Sequence, residues 1–173
     1  KGDIGAADLL IIDIDGTVLS GRHRVFSEWK IHRAVYEERP EMSAVLHCHA
    51  PSACAFAVSH RTLPIDFMPE AIVSLGPSIA HVAVNALSDA QLAKDVADAA
   101  RTANAALLLG HGPLTWGRDL TMAMARMELV EHLATISLRA MTLGGPIALQ
   151  SHEIEALTEK HRRAGLAAPS LGL

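Results

Sequence analysis

The sequence predicts a three-layer α/β/α fold, in which helices cover both faces of a central, mostly antiparallel sheet. Three observations support this prediction. Segments with strand and helix patterns are mixed along the chain without the strict alternation that marks a parallel sheet. Half of the 173 residues are hydrophobic, which is enough for one sizeable core. No linker, repeat or low-complexity tract divides the sequence, so we expect residues 1–173 to form a single domain.

The first half of the chain predicts a hairpin, a helix, a further strand and a second helix. Asp15-Gly16 is typical of a turn between two short strands. Ser27 is a candidate N-cap for the first helix, which Pro40 ends, and Pro51 stands where the second helix begins. The predicted strands cover 9–14, 17–19 and 44–49, the predicted helices cover 27–39 and 51–59, and residues 62–76 are expected to be irregular with one strand at most.

The second half predicts strands and helices that finish with two helices in succession. Asp119 is a candidate N-cap of the longest helix, and Gly144-Gly145-Pro146 ends it. The predicted strands cover 79–84, 105–109 and 113–116, and the predicted helices cover 88–102, 119–143 and 151–163.

Charge and composition exclude several classes of partner. The formal net charge of −4 gives no support for binding to nucleic acid or to an anionic membrane. No apolar run is long enough to span a bilayer, and no signal peptide is recognisable. The two cysteines cannot build a disulfide framework, so a reducing cytoplasm is the expected compartment.

Three histidines carry the strongest chemical signal. Side chains alternate along a strand, so His47 and His49 point to one face of the predicted strand. Cys48, between them, is expected to face the other way, into the core. His111 follows another apolar strand and could complete a three-histidine metal site with an open position, which is the catalytic pattern. The alternative is that these are ordinary core or surface histidines.

A carboxylate upstream strengthens the metal interpretation. Glu28, His32 and Tyr36 follow each other at four-residue spacing and share one face of the predicted helix. If that face lines the site, Glu28 can serve as a general base beside the metal, with His32 packed behind it. The alternative role of Glu28 is a favourable interaction with the helix N-terminal dipole.

The string at 10–18 is similar to the first motif of the haloacid-dehalogenase phosphatases, with Asp13 as nucleophile and Asp15 as acid/base. That chemistry needs a second acidic pair to complete a Mg²⁺ site. No acidic pair follows an apolar strand after residue 100. The two aspartates are therefore better explained as turn residues of a hairpin.

Taken together, the motifs resemble the class II aldolase/adducin family, to which bacterial L-fuculose-1-phosphate aldolase belongs. The resemblance covers roughly 8–143: the hairpin, the segment 27–36, His47-Cys48-His49, and the loop 108–117 with His111. It implies that His47, His49 and His111 bind a divalent ion, commonly zinc, with manganese or cobalt as alternatives. Glu28 would be a fourth ligand or the base during turnover.

The resemblance also implies an activity. The expected enzyme is a metal-dependent lyase that cleaves a C–C bond next to a carbonyl through a metal-stabilised enediolate. Aldol cleavage of a hydroxy-carbonyl, sugar or sugar-phosphate-like, is the leading expectation. Decarboxylation of a keto or aromatic hydroxy acid is one alternative, and a non-catalytic, adducin-like interaction module is another. Family members usually form homotetramers with active sites at subunit interfaces, so the same is expected here.

The chain departs from the family pattern at three places. The family's phosphate-binding loop lies ahead of the part represented here, so the N-terminal part of the family domain is expected to be absent from these residues. The first of two serines before the glutamate is Phe26, which leaves Ser27 as the candidate substrate contact. The position of the proton-donating tyrosine reads as Phe67. Arg24 is a further candidate anion contact, with an ordinary surface arginine as the alternative.

Overall fold

The structure, a computed structural model, describes residues 4–84 and 89–168. A four-stranded mixed sheet carries helices on both faces, and a separate two-stranded hairpin precedes it. The strands are β1 (Ile11–Ile12), β2 (Val18–Ser20), β3 (Ala44–His47), β4 (Ala80–Ala83), β5 (Ala105–Leu109) and β6 (Gly112–Gly117). The helices are α1 (Trp29–Glu38), α2 (Pro51–Val58), α3 (Pro69–Leu75), α4 (Asp89–Ala100), α5 (Leu120–Met141) and α6 (Ser151–Arg163), with a 3₁₀ turn at Ala6–Asp8.

The strand order in the main sheet is β3-β6-β5-β4. The pairings β3–β6 and β6–β5 are antiparallel, and only β5–β4 is parallel, so the prediction of a mostly antiparallel sheet is confirmed. Helix α4 supplies the crossover that a parallel pair needs. Strands β5 and β6 are joined by the two residues Gly110 and His111, and Gly110 has a φ of 80°, which suits glycine in a tight turn. This turn fixes His111 at one end of the sheet.

Alternation along β5 divides the hydrophobic core into two layers. Ala105 and Leu107 face the layer of α2, α3 and α5, whereas Ala106 and Leu108 face α1 and α4. All four residues are fully buried. The predicted three-layer α/β/α architecture is therefore confirmed.

Helix α3 was not foreseen, because residues 62–76 were expected to be irregular. Pro69 occupies the first turn, where its missing N–H costs nothing, and Gly76 ends the helix with a φ of 98°. Ala71, Ile72 and Leu75 lie on its buried face. The segment is too short for its helical spacing to stand out in the sequence.

Two local predictions at the ends of elements are wrong. Strand β3 stops at His47, so Cys48 lies outside the strand and is exposed instead of filling the core. Helix α1 begins at Trp29 with Glu28 at the N-cap position, so Ser27 is not the cap. The predicted helix start at Ser88 lies outside the described residues, and α4 is seen from Asp89 onward.

The N-terminal hairpin is shorter than predicted, with two residues in β1. Its turn is organised by Asp13, whose Oδ1 accepts hydrogen bonds from the N–H of Asp15 (3.0 Å) and of Thr17 (2.8 Å). This confirms that Asp13 is a turn residue. Within the described residues, no helix combines the length and the apolar character needed to cross a membrane.

Candidate metal centre

The sheet brings the three predicted histidines together. In the antiparallel pairing of β3 with β6, His47 lies opposite Leu114, so the end of β3 adjoins the β5–β6 turn that carries His111. His49 follows β3 by two residues and approaches from the same end. One ring nitrogen from each histidine lies within 4.8 Å of the other two. His111 thus joins two histidines that lie 64 and 62 positions before it in the sequence.

His47 directs an unprotonated Nε2 at this cluster. Its Nδ1 lies 2.9 Å from the carbonyl oxygen of Pro113 and must donate to it, which leaves Nε2 without a proton. The side chain is only 6 % exposed, and Nε2 has no hydrogen-bond partner. A buried nitrogen lone pair without a partner is costly, and a metal ion would satisfy it.

The spacing of the other two rings suits ligation. His49 Nε2 and His111 Nε2 are 3.3 Å apart. Two nitrogens bound tetrahedrally at zinc's usual bond length would be separated by roughly 3.3 Å. The rings of His47 and His111 stack at 4.8 Å with an interplanar angle of 13°. The donor set therefore fits a divalent ion.

Glu28 completes the cluster. Its carboxylate leaves the N-terminus of α1, with Oε1 2.7 Å from His111 Nε2 and Oε2 3.8 Å from His47 Nε2. It makes no side-chain hydrogen bond to the N-terminal N–H groups of α1. The structure thus places Glu28 among the histidines, in a position to bind a metal or to hold a proton.

Burial keeps two of the nearby imidazoles neutral. The pKa of His47 is lowered chiefly because burial disfavours the charged ring, although the Glu28 carboxylate acts in the opposite direction. Burial also lowers the pKa of His32 to about 4, with a contribution from His47. His32 packs behind the cluster and bonds to the backbone of Val45. Neutral imidazole is the form that binds metals.

A cavity of about 190 Å³ opens beside Glu28 and His111. Ser27, the predicted substrate contact, is one of the residues that line it. The sequence analysis missed Lys30, which also lines it and forms a 3.0 Å ion pair with Asp89 of α4. The only sequence signal for Lys30 was its place one residue beyond Trp29 at the start of α1.

Two other predicted positions lie away from this cavity. Arg24 lines a separate groove between the hairpin and α1, together with Phe26. The structure therefore does not bring Arg24 to the histidine cluster. Phe67 is partly buried against the core layer of α2, α3 and α5.

The comparisons with known proteins point to one family. The model of the class II aldolase and adducin N-terminal domain matches residues 1–138. The 5-methylthioribulose-1-phosphate/5-deoxyribulose-1-phosphate aldolase of Rhodospirillum rubrum is 31% identical over 94% of this chain and 73% of its own length. The L-fuculose phosphate aldolase of Escherichia coli is 32% identical over 90% of this chain and 73% of its own length.

A solved structure supports the same assignment. An L-fuculose 1-phosphate aldolase superposes with a TM-score of 0.81 at 29% identity, covering 92% of this chain and 74% of that one. The chain belongs to the class II aldolase/adducin family, as the order of its motifs predicts.

Proposed function

We propose that this protein is a divalent-metal-dependent aldolase that cleaves a C–C bond next to the carbonyl of a small hydroxy-carbonyl compound, a sugar phosphate. The observation that carries the proposal is the cluster of His47, His49 and His111 with the Glu28 carboxylate beside it. The relatives named for aldol cleavage of ketose 1-phosphates support the same reaction. We also propose that residues 1–173 make up one domain of this family.

The site would carry out a retro-aldol step with separate roles for the ion and for Glu28. The ion, when bound, would supply Lewis-acid polarisation of the substrate carbonyl and stabilise the enediolate charge. Glu28 takes the proton from the substrate hydroxyl as the C–C bond breaks, which releases an aldehyde. Glu28 then returns a proton to the carbon of the enediolate. With Oε1 2.7 Å from His111 Nε2 and Oε2 3.8 Å from His47 Nε2, the carboxylate lies beside the nitrogens that would hold the ion, where it would meet a substrate bound there.

Zinc is the proposed ion, with manganese or cobalt as substitutes. Three imidazole nitrogens and one carboxylate are a donor set that zinc accepts, and zinc tolerates the four-coordinate arrangement that this spacing favours. The neutral state of the buried His47 supports binding near pH 7.

The proposed assembly is a cytoplasmic homotetramer with its active sites at subunit interfaces. Ser27 and His49 are exposed in the single chain, so the site is open to a neighbouring subunit. Large hydrophobic side chains such as Phe26 (51 % exposed) and Leu120 (65 % exposed) are also accessible in the single chain, and a neighbouring subunit would bury them. The expected readout is a single species of four chains in light scattering, and a monodisperse monomer would contradict this part of the proposal.

The test is a product assay on zinc-loaded protein. Ketose 1-phosphates are incubated with the protein, and release of dihydroxyacetone phosphate and of the aldehyde is followed. We expect both products in equal amounts, and none with the His47→Ala variant. Carbon dioxide release from keto acids would instead support the decarboxylase alternative. Full-length protein that holds no metal and forms no product would support the interaction module.

A further inference from the structure

Helix α2 connects two of the three histidines. It begins at Pro51, two residues after His49, so its N-terminal position sets the path of that ligand. From the same helix, Cys54 donates its Sγ–H to the carbonyl oxygen of His111 at 3.2 Å. Its last turn also accepts a hydrogen bond, from the N–H of Gly110 to the carbonyl of Ala57 at 2.8 Å. A shift of α2 would therefore move both His49 and His111.

The N-terminus of α2 has no cap of its own. Ala50 occupies the N-cap position and offers no side-chain acceptor, so the first N–H groups of the helix need partners from elsewhere. The Glu131 carboxylate of α5 provides them. Its Oε1 accepts from the N–H of Ser52 at 2.9 Å, and its Oε2 accepts from the N–H of Ala53 at 2.8 Å. Both bonds are charge-assisted, and the helix dipole adds to them.

The neighbouring contacts leave α2 little freedom. The hydroxyl groups of Ser52 and Thr135 are 2.8 Å apart, which adds a third hydrogen bond between α2 and α5. At the other side, a Cβ on Gly112 would lie 2.8 Å from the carbonyl of Cys48 and 3.2 Å from the Cys54 sulfur. The turn that carries His111 is therefore in close contact with the segment that carries His49.

We propose that Glu131 is a positioning residue of the metal centre. It does not ligate the ion, and it acts through α2 by holding His49 and His111 at their binding separation. The inference rests on the proposed function, because it presumes that the histidine cluster binds a divalent ion. It also explains why a carboxylate stands partly buried on α5, facing a helix terminus.

The variant Glu131→Gln keeps the size of the side chain and removes its charge. The amide offers one acceptor oxygen, and its NH₂ group then faces an N–H of α2 without a partner. Glu128→Gln is the matched control, since Glu128 lies on the same helix, is exposed, and undergoes the same change of charge. Thr135→Val is a milder second variant that removes only the Ser52–Thr135 bond.

The experiment measures Co²⁺ affinity by competition with a chelator, together with the visible spectrum of the bound Co²⁺. We expect Glu131→Gln to bind ~10–100-fold more weakly, as is usual for changes behind the ligand shell, and to show a shifted Co²⁺ band. Thr135→Val is expected to lose ~2–10-fold, the usual worth of one neutral hydrogen bond. Glu128→Gln is expected to match the parent protein in both measurements.

The outcomes separate this inference from the proposed function. Parent protein that binds neither Co²⁺ nor Zn²⁺ would overturn both. Parent protein that binds Co²⁺, with Glu131→Gln folded and equal to it in affinity and spectrum, would overturn the positioning role alone. If Glu131→Gln does not fold, Thr135→Val decides, and an unchanged affinity and spectrum for that variant would overturn the inference.

Discussion

Two buried histidines at different places in this fold make the same hydrogen bond through one ring nitrogen and differ at the other. His161 on α6 donates Nδ1–H to the carbonyl of Val73, as His47 does to that of Pro113. The other nitrogen of His161 lies 3.4 Å from the side-chain nitrogen of Asn104, which donates to it. The corresponding nitrogen of His47 has no partner. His161, bonded on both sides, holds α6 to its neighbours, whereas His47 leaves one nitrogen unbonded beside His49, His111 and Glu28, where an ion would satisfy it.

The largest expected effect tests this contrast at His47. His47→Gln should reduce bound zinc from about one ion per chain to almost none, and lower aldol cleavage by more than the ~10–100-fold loss seen for residues behind the ligands. Elemental analysis and the product assay are the measurements. His161→Gln is the control and should keep its full metal content. Equal metal loss in both variants would remove the distinction.

The next largest effect separates proton transfer from metal binding within the cluster. Glu28→Gln keeps the side-chain volume and removes the base, so kcat should fall ~10²–10⁴-fold. Zinc content should change much less than in His47→Gln, because three imidazoles remain. A variant with full zinc and unchanged kcat would show that Glu28 is not the base.

A third prediction concerns pH and the histidine behind the cluster. Burial holds the folded-state pKa of His32 at about 4, below its ordinary 6.5, so the unfolded chain takes up this proton first as the pH falls. The stabilisation is present above about pH 6.5 and is lost as the pH falls toward 4, by up to about 3 kcal/mol. Urea unfolding of the metal-free protein at pH 7.5 and pH 5 measures it.

The matched variants for that pH series are His32→Gln and His152→Gln. His152 is exposed on α6, so its replacement should leave the pH dependence of the unfolding free energy unchanged. His32→Gln should flatten it. If the unfolding free energy depends on pH equally in the parent protein and in both variants, the pH dependence belongs to other groups.

The smallest expected effect is structural and lies at the fully bonded histidine. His161→Leu leaves the Val73 carbonyl without its donor and removes one of three acceptors around the Asn104 side-chain nitrogen, which should cost about 1–3 kcal/mol of unfolding free energy. Zinc affinity should not change, since α6 packs against α3 and carries none of the cluster's histidines. Calorimetry with and without zinc measures both quantities. A weakened zinc affinity would mean that the two regions are coupled.

The sequence predicted most of the residues that form the candidate metal cluster, because the signal of this cluster is a residue type at a fixed spacing. His47 and His49 stand out by their spacing, His111 by its place after an apolar strand and Glu28 by its place ahead of the pair, and the family resemblance implies the same four residues. Local pattern alone could not have joined His111 to them, since their meeting depends on the pairing of β3 with β6 across the sheet. That pairing is a long-range property of the fold.

The predictions that failed depend on where an element ends. Cys48 was expected in the core because β3 was drawn two residues too long, and Ser27 was expected as a cap because α1 was drawn too long at its start. A change of one or two residues at a boundary reverses exposure without changing composition. Helix α3 was missed for a related reason, since seven residues give less than two full turns to recognise.

The three histidines differ in how firmly strand pairing fixes their backbone positions. His47 is paired across the sheet, and His111 belongs to a two-residue turn, so neither can be relocated without disturbing strand pairing. His49 stands beyond the last ladder residue and before α2. Replacement of His49 by a carboxylate or a thiolate would therefore change the preferred ion with the smallest loss of fold stability, whether in evolution or in redesign.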